Sequence, residues 1–466
     1  MSVVTATSRP VVPTPNPSTR PAADGSVVNR NDRAITALAM LAHGMVHTYE
    51  LAIPIFVTIW LVEFSVIDIG IATFDVTTAT LGVVVTVGYG LFGVGALPGG
   101  VLVDRLGSRK LITACLVGMG GSFLLLSLAP SVVVIMLALV LWGLAASVYH
   151  PAGLSLITKG VEEQGTGLGY HGIAGNVGIG LGPLLTATML LFLDWTTVAG
   201  VLAIPALLAA VYAYQADFDP QAAVEDEGAA ADGGDSKADS GVDSVEEFVA
   251  ESRKLFAGSF VLVFVVVMCS GLYYRGFLTF LPELLGRLPG FEPIAIAALL
   301  PAPVADLLGV DPAAGETLAP SDYFYSGLLL IGVVGQYAGG KLTDRFPVEY
   351  GIAAGFGTLA VLALVFLPAA ALGLAPLMVV GALMGIFLFA VQPMYQATVA
   401  AYTPAGTRGL SYGYTYLGVF GVGSLGGAIA GAILTYANEP TLFAVLALFA
   451  VTASGVGIYL GRTRGE

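Results

Sequence analysis

The sequence predicts an all-α membrane protein of twelve transmembrane helices, arranged as two pseudo-symmetric six-helix bundles. Three observations carry this expectation. The 466 residues are 56% hydrophobic and only 11% charged, with a mean hydropathy of +0.86. Apolar runs of about 20 residues recur along the chain, the length a helix needs to cross ~30 Å of hydrocarbon. The two halves also repeat one another at a nearly constant spacing. The runs are continuous rather than alternating, which argues against a β-barrel.

Taken in order, the spans are read at 33–60, 78–103, 110–129, 131–157, 166–191, 196–215, 256–281, 323–343, 350–369, 374–400, 409–436 and 440–461. Residues 1–32 precede them. The first 29 are rich in Pro, Ser and Thr, lack the charged-then-apolar pattern of a signal peptide, and read as a disordered cytoplasmic tail. Residues 33–216 form the first bundle. Between 217 and 252 stand twelve Asp or Glu against one lysine, Lys237, a local charge of −11. A solvated linker is therefore expected at 217–253. The second bundle occupies 254–466. It includes a long outer loop, 286–321, as either a helical cap or a plain loop.

The linker accounts for most of the net charge of −14, and the few basic residues argue against a nucleic-acid partner. Cys115 and Cys269 lie inside apolar runs and indicate neither a disulfide framework nor a zinc cluster. With the N-terminus inside, all but Arg275 and Arg287 of the eighteen Lys and Arg fall in cytoplasmic segments or the first tail. That is the positive-inside distribution, with both termini cytoplasmic in a multi-pass plasma-membrane protein.

The repeats are specific. "GGVLVDR" at 99–105 answers "GGKLTDR" at 339–345, an offset of 240. Gly143 and His150-Pro151 answer Gly385 and Gln392-Pro393 at 242, and Pro54 answers Pro282 at 228. Six-helix halves related in this way place a substrate site between them, near the bilayer midplane.

"GGVLVDRLGSRK" resembles the loop between spans 2 and 3 of the major facilitator superfamily, Gly-x-x-x-Asp-Arg-x-Gly-Arg-Lys. Gly100, Asp104, Arg105 and Gly107 fill the pattern, Arg109 and Lys110 supply its basic pair one residue later, after Ser108, and Asp344-Arg345 repeat it in the second half. The resemblance implies the major facilitator fold and a cytoplasmic gate. Physically, a short Gly-rich turn brings two helix ends close, and Asp104 can then face a helix N-terminus or a basic partner. "GLAASVYHPAGLSLI" and "GLGYHGIAGNVGIGLGPLL" look like the fosmidomycin-resistance group of drug efflux proteins in that superfamily. Gly169, Gly178, Gly182 and Pro183 resemble its antiporter motif, although Thr186-Ala187 replaces the final Gly-Gly pair.

In the first span, "LAHGMVHTYELAIP" puts His43, His47 and Glu50 on one helical face, deep in the bilayer. Ionisable groups at such depth mark ion or substrate paths, and histidine titrates near neutral pH. This trio is the expected proton-coupling site. Metal binding is set aside because His43 and His47 alone leave ligands missing. By the 228 offset, His47 answers Arg275, whose guanidinium fork suits an anionic substrate group or a permanent ion pair with Glu50 or Glu283. Asn176, Gln336, Gln392, Tyr395 and Gln396 can orient a polar substrate or join helices. His150 is read as a polar cavity or gate residue beside a helix bend at Pro151, and His171 as interfacial.

No phosphate loop, GxSxG, CxxC or HExxH is present, so neither an enzyme nor a cofactor is expected. The expected function is proton-coupled export of a small organic molecule by antiport, in a monomer, with an anionic substrate as one option. A proton- or sodium-coupled anion symporter and a non-transporting sensor or scaffold are the alternatives.

Overall fold

The computed structural model describes residues 29–224, 245–295, 303, 317–404 and 407–464. The expected tail up to residue 28, linker residues 225–244, and 296–302 and 304–316 of the outer loop lie outside the described residues.

The first half contains α1 (Arg30–Glu63), α2 (Thr78–Val94), α3 (Ala96–Leu106), α4 (Ser108–Ser127), α5 (Val132–Ser147), α6 (Tyr149–Gly160), α7 (Gln164–Met189) and α8 (Trp195–Gln215). The second half contains α9 (Val245–Phe256), α10 (Phe260–Leu278), α11 (Leu281–Gly286), α12 (Pro320–Thr343), α13 (Val348–Leu372), α14 (Leu374–Tyr402), α15 (Arg408–Tyr416), α16 (Leu425–Tyr436) and α17 (Glu439–Arg464). A π-helical turn, Leu417–Val422, joins α15 to α16. Ten single or nearly continuous helices are long and apolar enough to cross a membrane, and α2–α3, bent by 47°, makes an eleventh. α12, 24 residues long but less apolar, lies where the sequence places the eighth span.

Breaks occur where the chain loses backbone donors or needs glycine. Pro151 cannot donate to the Ser147 carbonyl, and the fourth span divides into α5 and α6 at Val148. Its counterpart Pro393 lies inside the uninterrupted α14, so the shared proline goes with a break in the first half alone. The first spans show the reverse. Pro54 sits within continuous α1, whereas α11 begins afresh beside Pro282. Gly107, between α3 and α4, has φ +82°, a conformation that favours glycine.

Large apolar side chains cover the outside, among them Leu137, Ile204, Leu208, Val361 and Leu364, each more than half exposed. Such a surface belongs in lipid. At one end Trp60, Phe64 and Trp195 group together, with the Trp195 indole donating to Glu63, as aromatic residues do at a membrane interface. Beside them Val66–Asp68 and Thr73–Asp75 form a small hairpin.

Two expectations about connecting segments change. The last part of the expected linker is helix α9, with Phe248 and Phe256 against Tyr414 and the Tyr414 hydroxyl donating to Ser252 at 2.9 Å. This stretch has apolar residues that reach α15, which its acidic composition masked. In the outer loop, Ile294–Ala295 pairs antiparallel with Thr317–Leu318.

The halves meet chiefly through small residues. The Thr78 hydroxyl donates to the Gly431 carbonyl at 3.0 Å, and Thr86 to that of Ser424 at 2.9 Å. A Cβ on Gly431 would sit 2.1 Å from the Thr78 carbonyl oxygen, and one on Gly93 2.0 Å from the Gly421 nitrogen. No side chain fits between α2 and the α15–α16 span at those levels.

Candidate functional site

The site forms where α1 crosses α7. A Cβ on Gly178 would lie 2.3 Å from the Gly44 carbonyl oxygen, and one on Gly182 2.7 Å from Thr48 Cα. The antiporter-like glycines thus let two helices touch along their backbones, and Pro183 is buried in the same helix. Gly169 differs, since nothing lies near its missing side chain. One turn from Gly178, Gly175 leaves room for the His43 ring: a Cβ there would lie 2.4 Å from His43 Cε1. Gly175→Ala is therefore expected to displace His43 and cost ~1–3 kcal/mol by overpacking. A thermal-unfolding comparison with Gly172→Ala, where the space is open, checks this.

All four histidines of the chain gather here. His43 stacks on His171 with ring centroids 3.8 Å apart, and lies 4.8 Å from His47 and 5.3 Å from His150. Each of these residues is less than a tenth exposed. His171 is thus part of the cluster and not interfacial, because α7 turns it against α1 rather than toward the surface. Scarcity was the available signal: the chain has four histidines, all within apolar runs.

Hydrogen bonds order the cluster. His43 Nδ1 lies 2.7 Å from the His171 carbonyl oxygen, which can only accept, so Nδ1 carries a hydrogen. His47 Nδ1 lies 2.6 Å from Glu50 Oε2 and donates to it. The two Nε2 atoms face each other at 3.1 Å. That separation is within hydrogen-bond range, so a proton on either Nε2 can be shared by the pair.

Glu50 is fully buried and also accepts from the Arg275 guanidinium, joining α1 of the first half to α10 of the second. The guanidinium carbon lies 3.7 Å from the Tyr89 ring centroid, with Tyr274 on another side at 5.4 Å. Arg275 therefore occupies the ion-pair alternative, and an acidic ligand would have to displace Glu50 to reach the same atoms. Pro54 contributes one step further back. It cannot donate to the Glu50 carbonyl, and the Tyr89 hydroxyl does so instead at 2.7 Å. Tyr325 of α12 donates to the neighbouring Leu51 carbonyl at 3.2 Å.

Across the junction, His150 lies 4.9 Å from Tyr416 and 6.2 Å from Phe420, centroid to centroid. Phe420 sits in the π-helical turn, an irregularity often found at functional sites. Tyr89, Tyr149, which stacks on His43 with centroids 5.5 Å apart, Tyr416 and Phe420 are site residues that sequence reasoning missed, since aromatic residues in apolar spans stand out only once their neighbours are known.

The uncharged candidates make no hydrogen bond to the cluster among the described residues. Asn176 and Gln336 are half-buried, each with a buried side-chain oxygen lacking a hydrogen-bond partner. Gln392 is half-buried, Tyr395 buried and Gln396 exposed.

The gate residues lie within their own halves. Asp104 faces Lys159 of α6 at 3.5 Å, both substantially exposed, and Arg109 lies 4.0 Å over the Phe218 ring. Arg105 and Arg345 are exposed, as is Asp344 at the end of α12, and none forms an ion pair among the described residues. The close-approach glycine is Gly99, where a Cβ would lie 2.7 Å from Pro151 Cγ; Gly100 faces open space.

The sequence model described as Major Facilitator Superfamily matches residues 35–310, more than half of the chain. No curated protein sequence matches at a significant level. Among solved structures, a bacterial homolog to the human lysosomal transporter Spinster, inward-facing and occupied, aligns with a TM-score of 0.66 at 13% identity, covering 93% of this chain and 98% of that one. A peptide transporter POT mutant in complex with sulfate gives 0.67 at 14% identity, with 92% and 94% covered. A D-xylose-proton symporter gives 0.63 at 15% identity, with 92% and 97% covered. At these identities the likeness concerns the fold.

Proposed function

The chain belongs to the Major Facilitator Superfamily, and from that premise we propose that this multi-pass membrane transporter is proton-coupled and exports a small organic molecule by antiport across the plasma membrane. One observation carries the reading: the line from His43 through His47 and Glu50 to Arg275, which crosses from one half to the other. Alternating access moves the halves against each other around a central site. A proton shared by His43 and His47 adjoins the carboxylate that ties the halves together. Its departure leaves two lone pairs face to face and forces the rings apart, which loosens Glu50 from His47. Protonation is thereby linked to the geometry of the interface.

Substrate then competes for Arg275 or for the unpartnered oxygens of Asn176 and Gln336, and Gln392, Tyr395 and Gln396 supply further polar contacts. The Asp104-Arg105 and Asp344-Arg345 loops steady the state closed toward the cytoplasm. Both termini are assigned to that side.

The test uses purified protein in liposomes with a pH dye inside. Compounds are first selected by thermal shift, then confirmed by counterflow. Adding such a compound outside is expected to raise the internal pH as protons leave in exchange. A fall identifies symport, and no change a protein that does not couple. Replacing His43, His47 and Glu50 together is expected to abolish the proton signal; an unchanged signal overturns the coupling assignment.

A further inference from the structure

We propose that His43, His47 and His150 form a binding site for a divalent transition-metal cation of the zinc, cobalt or nickel class. One nitrogen from each ring lies within 4.8 Å of the other two. The His43 and His47 Nε2 atoms, one helical turn apart on α1, are already 3.1 Å from each other. Zinc–nitrogen bonds of ~2.0–2.1 Å in a tetrahedron place the ligand atoms about 3.3–3.4 Å apart. The first two ligands are therefore in place, and a turn of the His150 side chain on α6 brings in the third. His150 supplies what the two α1 histidines lack by themselves.

The surroundings point the same way. A histidine that binds metal through one nitrogen normally donates the other N–H to a carbonyl or carboxylate, which fixes the ring and strengthens the ligand. His43 does this through Nδ1 to the His171 carbonyl, and His47 through Nδ1 to Glu50. In each ring Nε2 is the nitrogen left over, and the two lie 3.1 Å apart. Imidazole favours zinc, copper, cobalt and nickel over magnesium and calcium, which take oxygen ligands. Glu50 is already matched by Arg275, so the ligands are three neutral rings with a fourth position for water or a small anion. The cation would occupy the place of the shared proton, and the two exclude each other.

This inference shares its residues with the transport reading, but binding is measured without transport, so either can fail alone. Tag-free protein, stripped of metal in detergent, is titrated with Co2+. All four histidines of the chain lie in the cluster, so no other imidazole contributes. The expected result is saturable binding of one ion with the intense visible absorption of four-coordinate cobalt, displaced by Zn2+. The acidic linker, offering only carboxylates, gives no such band. His150→Ala and His150→Gln, each confirmed monodisperse, are expected to weaken binding at least about tenfold. X-ray absorption of the zinc-loaded parent adds a measurement that needs no variant and is expected to show imidazole nitrogens at ~2.0 Å. Absence of saturable binding, unchanged affinity in both His150 variants, or oxygen-only coordination overturns the proposal.

Discussion

Glu50→Gln is expected to destabilise the protein by roughly 3–5 kcal/mol, the usual cost of breaking a buried ion pair by removing one partner. Glu50 and Arg275 are each about 1% exposed, so water does not replace the lost contact. The guanidinium would keep the Tyr89, Tyr274 and Phe420 rings and a neutral amide oxygen, but no counter-charge. Cation–π attraction contributes ~2 kcal/mol or somewhat more at desolvated sites, less than a buried charge without its partner requires. The double variant Glu50→Leu/Arg275→Met removes both charges and is expected to recover most of the stability, because apolar replacement of a buried pair is commonly neutral or better. It should not recover proton coupling. Thermal unfolding of the three proteins in one detergent, with the proton signal in liposomes, checks both parts. A single variant as stable as the parent would mean that the resting protein does not hold this pair across its halves.

Gly93→Ala and Gly431→Val are expected to shift the protein away from the conformation described here. In both cases the nearest obstacle is backbone of the other half, Gly421 nitrogen at 2.0 Å and the Thr78 carbonyl oxygen at 2.1 Å from the added Cβ. Backbone cannot swing aside as a side chain does. Overpacking of ~1–3 kcal/mol imposed on one state corresponds to roughly 5- to 150-fold in population. A cysteine introduced as Thr86→Cys, on the α2 face toward Ser424, reports the change. The native Cys115 and Cys269 are buried. In nanodiscs, a water-soluble maleimide is expected to label it at least about tenfold faster with either glycine substitution than without. Equal rates would show that α2 and the α15–α16 span do not separate.

Much of this architecture was legible because it follows from local rules. A span needs a run of apolar residues, and twelve such runs are written in the chain. The 240–242 offsets exposed the duplication, and the 3.6-residue period placed His43, His47 and Glu50 on one face of α1. Pro54 was visible as a proline, but its effect was not. It frees a carbonyl that a tyrosine 35 residues further on satisfies, a partner no local pattern names. The gate motif was legible as a motif, yet Asp104 found Lys159 in its own half, and the glycine in close contact is Gly99, not Gly100.

By itself, the sequence determined the membrane class, the division into two halves and the polar face of the first span, since hydropathy and helical periodicity act over a few turns. Only the tertiary structure decided that four histidines from α1, α6 and α7 converge, and that Glu50 meets Arg275, 225 residues away. Those contacts depend on how each helix is rotated and how closely its neighbour approaches. Glycines such as Gly175, Gly178 and Gly182 set that approach, and their consequence appears only when the opposing helix is present.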